Sequence, residues 1–354
     1  MTLKGQQNHY NVKFLKGYGF SISVKDSKVV LKNSYDPFKE SEVESWYVKN
    51  MPYEKIVLSG KGYISTEALS LLCQNNRNLI LLDTYGKPIS YLNPVMESNT
   101  ATQYRIGQYD TFRNLEKKKY LAKQIVKAKI ESQIRFLEST KDPAVKNGIE
   151  ILKESLVSIK EKPLVSEAGL GRRYFIEYSK LIPERYGFIS RNQSLMSNSK
   201  NNASDVINGL LNYGYTVLAG EISKFINGIG LDAYYGFYHK PQTGFQPLVY
   251  DLMEPFRWLV DYSVWKLCHP NQNFKPRLKE IGHTRDGNVV LEYDLIRRFL
   301  EMLERTFQTK RRYAFRHGAK TTDGLKSCQE ITIAKIAVQN LADFCTGKQS
   351  SFSI

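Results

Sequence analysis

Short apolar segments, each rich in β-branched residues, recur along the first quarter of the chain. FSISV, VVLK, KIVLS and NLILLD are separated by glycine, aspartate or serine turns. Such segments are typical of strands, so the pattern predicts a β-rich region from Tyr18 to Leu92. A hairpin is predicted where YGKP, at residues 85–88, precedes the apolar segment ISYL.

One helix interrupts this β-rich region. In STEALSLLCQNN, Ser65 or Thr66 can cap a helix, and Leu69, Leu72 and Cys73 fall on one face. The sequence therefore predicts a small β-rich domain with a single packed helix.

A polar segment separates this domain from the rest of the chain. NPVMESNTAT, from Asn93 to Thr102, contains Pro94 and has no periodicity, which is typical of an interdomain linker. We predict a β-rich domain over residues 1–94, a linker over 95–103 and a helical domain over 104–354.

Beyond the linker the hydrophobic period changes to about 3.6 residues, which is the period of an α-helix. In KKKYLAKQIVKAKIESQIRFLEST the apolar positions include Leu121, Ile125, Ala128 and Ile130. Further helices are predicted in NGIEILKESLVSIKEK, SDVINGLLNYGYTVLAGEISKFINGIG, LIRRFLEMLERTF and CQEITIAKIAVQNLADF. LVYDLMEPFRWLVDYSVWKL is predicted to form one more helix.

The net charge of the chain indicates which kind of partner it binds. Lys and Arg number 51 against 35 Asp and Glu, which gives a formal net charge of +16, and 12% of the residues are aromatic. This composition favours a polyanion such as nucleic acid, although a basic surface can also serve solubility alone. The first long helix concentrates lysines, and we expect its basic face to contact phosphates through residues that include Lys117, Lys118, Lys119, Lys123, Lys127, Lys129 and Arg135.

Cysteine spacing and the N-terminus indicate the compartment. The four cysteines lie far apart, without a CxxC pair or a zinc-finger histidine spacing, so neither a structural zinc site nor a disulfide framework is indicated. MTLKGQQNHYNVKF lacks the apolar core of a signal peptide, and no stretch approaches the roughly 20 apolar residues of a membrane span. We expect a cytoplasmic protein that does not enter a membrane.

Three separate segments carry residues that can bind a divalent metal. GLDAYYGFYH brings His239 after a turn bracketed by Gly230 and Gly236, and LVYDLMEPFR places Asp251 and Glu254 three residues apart, on one helical face. From these residues alone, either acid can be the ligand beside the imidazole.

A more distant glutamate is the third candidate ligand. In SEAGLGRRYF, Glu167 is followed by two glycines, which permit close approach of another backbone, and by Arg172 and Arg173, which can contact phosphates. Glu221 is another carboxylate nearer to His239 in sequence, so the pattern alone leaves the third ligand open.

These motifs carry a resemblance to a known family. SEAGLGRRYF, LLNYGYTVLAGEI, GLDAYYGFYH and LVYDLMEPFR, in this order and spacing, resemble the motifs of the CRISPR-associated adaptation integrases, often called the CRISPR-associated endonuclease one family. The similarity extends to YRIGQYD, AKIESQ, IVLSGKGYISTEALSLL and LILLDTYGKPISYL, so it spans almost the whole chain. Trp258 departs from the family, in which proline more often follows the arginine.

The resemblance implies a specific site and fold. It implies one Mg²⁺ or Mn²⁺ ion held by Glu167, His239 and Glu254, with Asp251 as a residue that orients the site or serves as an alternative ligand. Arg257 is expected to steady those carboxylates or to contact DNA. The fold class implied is α+β: a small N-terminal β-rich dimerisation domain, a β-sandwich or split barrel with one helix, followed by a larger all-helical catalytic domain.

The function implied is insertion of short DNA fragments into a CRISPR array by transesterification, with a fragment 3′-OH as nucleophile. Hydrolysis of branched or single-stranded DNA would use the same site. The implied partners are DNA with 3′-OH ends, a second copy of the chain, and a small CRISPR adaptation protein with a ferredoxin-like fold.

Two alternatives are open, one a second enzyme and the other a protein of another class. A casposase, the transposon-encoded relative, usually has an additional DNA-binding tail, and the end of this chain at NLADFCTGKQSSFSI favours the adaptation protein. A DNA-binding scaffold with an incidental metal site is the second alternative. A further hypothesis is that tyrosines and arginines of the helical domain stack on splayed DNA ends.

Overall fold

The computed structural model describes residues 12–33, 41–53, 55–82, 88–92, 101–157, 163–191, 193–194, 203, 205–240, 246–269, 275–277, 280–283, 289–314 and 325–354. The chain divides into two compact units, Met1–Val95 and Met96–Ile354. Within the ranges given above, no helix has both the length and the apolar character that crossing a bilayer requires.

The first unit contains a six-stranded mixed sheet. Its strands are β1 (Val12–Lys25), β2 (Lys28–Asn33), β3 (Glu42–Trp46), β4 (Lys55–Ile64), β5 (Asn78–Leu82) and β6 (Pro88–Leu92), and their order in the sheet is β3-β2-β1-β4-β5-β6. The β1–β4 and β4–β5 pairs are parallel, and the other pairs are antiparallel. The predicted β-rich region is confirmed; the predicted turn at 85–88 falls mostly outside the described residues.

Helix α1 (Thr66–Gln74) covers the apolar face of this sheet. The Ser65 hydroxyl accepts a hydrogen bond from the Ala68 amide at 3.1 Å, which caps the helix as predicted. Ala68 and Leu72 are buried in the same apolar cluster as Leu15 and Ile22 of β1. In the described part of this unit α1 is the one α-helix, as predicted, whereas the sandwich or split-barrel architecture stays a prediction.

The second unit is mainly helical. Its helices are α2 (Ala101–Arg113), α3 (Leu115–Thr140), α4 (Lys146–Val157), α5 (Pro163–Lys180), α6 (Val206–Ile229), α7 (Pro247–Met253), α8 (Trp258–Cys268), α9 (Tyr293–Gln308) and α10 (Glu330–Cys345). The predicted linker, 95–103, overlaps the second unit's first helix, because residues 101–103 form the first turn of α2. These positions precede the first buried residue of that helix, Tyr104, so they showed no periodicity.

The prediction of an all-helical second domain is wrong in one respect. In the described part of this unit, three two-stranded antiparallel ribbons accompany the helices: β7 (Phe188–Ser190) with β8 (Gln193–Ser194), β9 (Ile281–His283) with β10 (Val289–Leu291), and β11 (Lys310–Ala314) with β12 (Leu325–Gln329). These strands have at most five residues, and β11 reads KRRYA, so backbone pairing forms them without a long apolar alternation.

The predicted helix LVYDLMEPFRWLVDYSVWKL is broken in the middle. Helix α7 ends at Met253, a 3₁₀ turn spans Glu254–Phe256, and α8 begins at Trp258. Pro255 accounts for the break, because proline has no amide hydrogen and its ring clashes with the carbonyl one turn earlier. The carboxylate of Glu254 therefore lies at a break between two helices.

Helix α6 lies at the centre of the second unit, and packs against α7, α8, α9 and α10. The Asp205 carboxylate caps its first turn by accepting from the Asn208 amide at 2.8 Å, and Gly230 ends it with a φ of +96°. A Cβ atom on Gly230 would lie 2.5 Å from Ala101 Cβ, so this glycine is required both by backbone conformation and by close contact with α2.

Two glycines of α6 test how tightly this centre is packed. A Cβ on Gly214 would lie 2.4 Å from Val260 Cγ1 and 2.8 Å from Phe299, whereas one on Gly209 would make only ordinary van der Waals contacts, 3.5 Å from Leu291 and 3.6 Å from Val289. We expect Gly214→Ala to destabilise the protein by about 1–3 kcal/mol through overpacking, and Gly209→Ala to stabilise it by up to about 1 kcal/mol through helix propensity. Urea unfolding followed by helical circular dichroism measures both, and equal stability of the two variants would contradict the packing described.

Candidate functional site

The fully buried carboxylate of Asp251, on α7, organises the segment that carries His239. Oδ2 accepts hydrogen bonds from the amides of Phe237 at 2.7 Å and Tyr238 at 3.0 Å. Oδ1 accepts from the amide of His239 at 2.8 Å and contacts Nδ1 of the same residue at 2.7 Å. Four donors thus converge on one side chain that is 0% exposed, and its two oxygens have little remaining capacity to bind a metal.

This contact fixes the orientation and tautomer of the imidazole. Because a carboxylate oxygen accepts hydrogen bonds, the contact assigns a proton to Nδ1 of His239 and leaves Nε2 as the nitrogen that can bind a ligand. A histidine held in this way by a carboxylate is the arrangement that many metal sites use. The geometry therefore favours Asp251 as the residue that orients His239, with Nε2 as the ligand atom.

The loop between α6 and His239 is held by α2. Gln108, fully buried, donates from Nε2 to the carbonyls of Asp232 at 2.9 Å and Tyr235 at 2.8 Å, and its Oε1 accepts from the Asp232 amide at 2.8 Å. The Tyr109 hydroxyl donates to Asp232 Oδ2 at 2.8 Å. Gly236 then passes so close to α7 that a Cβ would lie 2.6 Å from Asp251 Oδ2, which explains the second glycine of the predicted turn.

Glu254 is held as a buried carboxylate between two cations. Its side chain is 5% exposed, Oε1 accepts from Arg257 Nε at 2.8 Å, and Oε2 lies 2.7 Å from Lys129 Nζ. Burial raises the pKa of Glu254, but the charges of Arg257 and Lys129, with a smaller effect of His239, outweigh it and bring the pKa to about 2. Glu254 is thus ionised at neutral pH, and His239 is near enough to affect it.

Lys129 does not belong to the exposed basic face on which the sequence analysis placed it. Its ammonium points inward from α3 and its side chain is only 13% exposed. The positions one and two turns away on the same helix, Ile125, Gln133 and Phe136 among them, are buried. The position of Lys129 on the apolar stripe of α3 could have predicted its inward direction. The neighbouring exposed lysines made it look like part of the basic face.

Glu167 lies within α5, and the structure describes its backbone but not its side chain. Positions 174 and 178 are seven and eleven residues further on, which is about two and three helical turns, so position 167 shares a face of α5 with them. Among the side chains that the structure describes, nothing lies within 4 Å of a Cβ placed on Gly169 or Gly171. Packing against those described residues therefore does not require these two glycines.

A buried carboxylate, Asp261 of α8, connects α5 and α6 to the site. Tyr174 of α5 donates to its Oδ2 at 2.7 Å, Tyr215 of α6 donates to its Oδ1, and the Tyr178 hydroxyl donates to its backbone carbonyl at 2.9 Å. The guanidinium of Arg257 lies 4.6 Å from the centroid of the Tyr215 ring. Asp261 thus positions the helix that carries Glu167 and the arginine that holds Glu254.

Two of the three predicted ligands lie near enough for His239 to influence the charge of Glu254. An imidazole and an ionised carboxylate are donors that suit a divalent ion such as Mg²⁺ or Mn²⁺. Among the side chains that the structure describes, no group of three or more His, Cys, Asp or Glu could hold a metal by itself. The third predicted ligand, Glu167, lies outside those side chains, so the complete set stays a prediction.

The predicted DNA-binding residues divide into two groups. Lys117, Lys119, Lys123 and Lys127 are exposed on α3, Arg172 is exposed on α5, and Lys118 is partly buried. Arg173 pairs with the buried Glu177 at 3.2 Å, and Arg257 pairs with Glu254. The first group is available to a phosphate backbone, whereas Arg173 and Arg257 already have internal acidic partners.

Several tyrosines of the helical unit cannot stack on DNA bases, because Tyr174, Tyr178, Tyr213 and Tyr215 are buried. Around His239, Tyr235, Tyr238 and Tyr250 are half-buried, whereas Tyr234 is 62% exposed and accessible to a base. The stacking hypothesis is thereby narrowed to exposed positions of this kind.

Sequence reasoning missed the roles of Gln108, Asp261, Tyr215 and Lys129. Lys129 carried the helical-phase signal described above. The first three are buried residues with polar groups, and such groups are expected to find hydrogen-bond partners. Their partners lie on other helices, however, and nothing in the linear pattern identifies them.

Comparison with known proteins places the chain among relatives of one kind. The family model described as CRISPR associated protein Cas1 matches residues 14–305. A CRISPR-associated protein Cas1 of Methanobrevibacter ruminantium is 29% identical over 73% of this chain and 78% of its own length. A CRISPR-associated endonuclease Cas1 of Archaeoglobus fulgidus is 28% identical over 72% of this chain and 77% of its own length.

Solved structures show the same fold. A casposase bound to an integration product superposes with a TM-score of 0.80 at 26% identity, and the match covers 97% of this chain and 92% of the casposase chain. A CAS1 protein from Thermotoga maritima superposes with a TM-score of 0.73 at 17% identity, over 96% of this chain and 97% of its own. At that identity the second likeness concerns the fold alone.

The buried carboxyl of Asp261 generates a prediction about pH. Burial raises its pKa to about 6 from 3.8, although the hydrogen bonds from Tyr215 and Tyr174 lower it. A carboxyl whose pKa is higher in the folded state favours folding at low pH, and this contribution is lost as pH rises towards 6. Between about pH 4.5 and 7.5, wild type should lose about 2 kcal/mol of unfolding free energy relative to Asp261→Asn.

Urea unfolding at the two pH values measures this difference. Asp110→Asn, which changes an exposed carboxylate on α2, is the matched control and should keep a constant difference from wild type. A wild-type advantage over Asp261→Asn that grows with pH would contradict the raised pKa.

Proposed function

The chain belongs to the family described as CRISPR associated protein Cas1, and from this premise we propose that it is a metal-dependent DNA endonuclease and integrase that inserts short DNA fragments into a CRISPR array. The relative from Archaeoglobus fulgidus is called an endonuclease, and the casposase with the same fold is bound to an integration product. The single observation that supports the chemistry most directly is the pairing of Asp251 with His239 beside the ionised Glu254.

The residues proposed to hold the metal are His239, through Nε2, together with Glu254 and Glu167. Asp251 keeps the imidazole in the ligand tautomer, and Arg257 fixes one oxygen of Glu254. A bound Mg²⁺ or Mn²⁺ would polarise the scissile phosphate and lower the pKa of the attacking hydroxyl. The imidazole ligand favours Mn²⁺ over Mg²⁺, because nitrogen donors suit the softer ion.

The proposed reaction needs no covalent intermediate with the protein. A 3′-OH of the fragment attacks the phosphorus of the target phosphodiester. The bond between phosphorus and the fragment oxygen forms as the bond between phosphorus and the leaving oxygen of the target strand breaks. Hydrolysis of branched or single-stranded DNA follows when water replaces the hydroxyl. The basic groups around the site would stabilise the negative charge that develops on the phosphate oxygens.

The exposed basic residues of α3 and α5 are proposed to follow the DNA backbone. Since contacts to phosphates carry no sequence information, this binding would be largely independent of sequence and sensitive to salt. We further propose that the N-terminal unit, a β-sandwich or split barrel, forms a homodimer in the cytoplasm. A small adaptation protein with a ferredoxin-like fold would join it, since one solved structure with this fold is entitled a Cas6-RT-Cas1–Cas2 complex.

A second candidate function is that of a casposase. The observation that favours it is the likeness to the casposase structure, at 26% identity over nearly the whole chain. The two functions use the same chemistry and differ in the DNA they act on. A preference for a repeat array as target supports the adaptation protein, and a preference for transposon ends as donor supports the casposase.

Variants of the candidate ligands test the proposed chemistry. We expect His239→Ala and Glu254→Gln to reduce strand transfer at least about hundredfold, and Asp251→Asn to reduce it about 10- to 100-fold by disorienting His239. The assay is transfer of a labelled duplex with free 3′-OH ends into a supercoiled repeat plasmid, with Mn²⁺ and the small adaptation protein present. His283→Ala, at an exposed histidine of β9, is the control.

Wild-type transfer by both His239→Ala and Glu254→Gln would refute the metal-site assignment. Loss of transfer in His283→Ala as well would indicate damage unrelated to the proposed site. These two results are therefore distinguishable from the one expected.

The basic face of α3 is tested by the salt dependence of DNA binding. We expect a Lys119→Ala, Lys123→Ala, Lys127→Ala triple variant to bind duplex DNA more weakly for every sequence, and its slope of log affinity against log salt to fall by about 2–3, because each lost phosphate contact removes about 0.9. Lys335→Ala, at an exposed lysine of α10, should leave the slope unchanged. A triple variant with the wild-type slope would show that this face does not contact DNA.

A further inference from the structure

We propose that Lys129 is a built-in counterion of Glu254, and that a divalent ion must displace its ammonium in order to bind. This inference rests on the proposed function, since it concerns the same candidate metal site. It assigns to Lys129 a positioning role that sets the affinity for the ion. The residue does not take part in the phosphate chemistry.

The buried position of Lys129 is unfavourable in free energy unless an anion pairs with its charge. It lies on the stripe of α3 that also carries Ile125, Gln133 and Phe136, all buried. Burying an ammonium is unfavourable unless an anion compensates it. Glu254 supplies that anion, with Nζ and Oε2 2.7 Å apart. The inward lysine and the buried glutamate therefore stabilise each other.

The two cations on Glu254 differ in how firmly they are held. Arg257 donates to Oε1 through Nε, and its guanidinium lies 4.6 Å from the centroid of the Tyr215 ring, so a hydrogen bond and an aromatic ring both restrain it. Lys129 has a flexible four-carbon stem with a compact charge at its end. A cation that approaches Glu254 would therefore displace Lys129 from Oε2, and Arg257 would stay in place.

An ammonium at this place opposes metal binding for an electrostatic reason. A divalent ion on Oε2 would lie a few ångströms from Nζ, and like charges at that distance in a partly buried site repel each other strongly. Removal of the lysine charge should consequently tighten metal binding. A purely structural role predicts the opposite result, because loss of the ion pair would let Glu254 move and would weaken the metal site.

Calorimetric titration of the full chain with Mn²⁺ distinguishes these roles. We expect Lys129→Met to lower the Kd for Mn²⁺ about tenfold, and Lys129→Arg, which keeps the charge, to stay near wild type. Lys127→Met is the matched control, since Lys127 lies on the exposed face of the same helix and pairs with Glu131 at 3.7 Å. That variant should bind Mn²⁺ as wild type does.

Thermal unfolding provides a second readout. Without metal, Lys129→Met should melt below wild type because Glu254 loses a counterion, and saturating Mn²⁺ should raise its melting temperature by more than it raises that of wild type. Lys129→Gln keeps a hydrogen-bond donor without the charge, and should shift the Kd in the same direction if the methionine variant does not fold.

An unchanged or higher Kd in the folded uncharged variants would overturn the inference. A Glu254→Gln arm separates this failure from failure of the proposed function. If Glu254→Gln binds Mn²⁺ as wild type does, then Glu254 is not a ligand and both proposals fall. If it loses Mn²⁺ binding while the Lys129 variants bind no more tightly than wild type, only the counterion role is refuted.

Discussion

The buried carboxylate of Asp251 is the constraint on which the candidate site depends. Three consecutive backbone amides and one imidazole nitrogen donate to it, so that side chain determines both the path of residues 237–239 and the direction of the His239 ring. Hydrogen bonds to an ionised acceptor are stronger than those between neutral groups. The loop that follows α6 is thereby anchored to α7 at residues 237–239.

Around this carboxylate, the other residues of the site are placed by helices or by the break between two helices. Glu254 is placed by the break between α7 and α8, Lys129 by α3, and position 167 by α5. Asp261 connects α8 to α5 and α6 through three tyrosine hydroxyls. Residues that act together must be held within a fraction of an ångström, and a set of packed helices with cross-linking hydrogen bonds satisfies this requirement better than mobile segments do.

Local patterns in the sequence predicted much of this architecture. The strands of the first unit, the Ser65 cap and the long basic helix follow from periodicity and capping, which are properties of neighbouring residues. The three ribbons were missed because their short, partly charged strands are formed by backbone pairing. The break at Pro255 was missed because the apolar period continues across it, although the proline itself predicts a boundary.

The sequence predicted which residues form the candidate site better than it predicted the role of each one. Asp251 and Glu254 are both acids one helical turn apart, and their separate environments, amide donors for one and cations for the other, exist only in the folded chain. The inward direction of Lys129 follows from helical phase, but its partner does not. Sequence motifs therefore identified His239 and the two acids, and the tertiary contacts supplied the roles that we assign to them.

The hydrogen bonds between Gln108 and the loop before His239 limit which positions of this sequence can change. All three of its hydrogen bonds go to main-chain atoms of Asp232 and Tyr235, so they recognise the course of the backbone and not the identity of the loop side chains. Exposed loop positions such as 234 can accept many residue types without disturbing these bonds. Position 108 cannot, because even glutamate, its nearest relative in shape, lacks the amide hydrogens that two of the three bonds require.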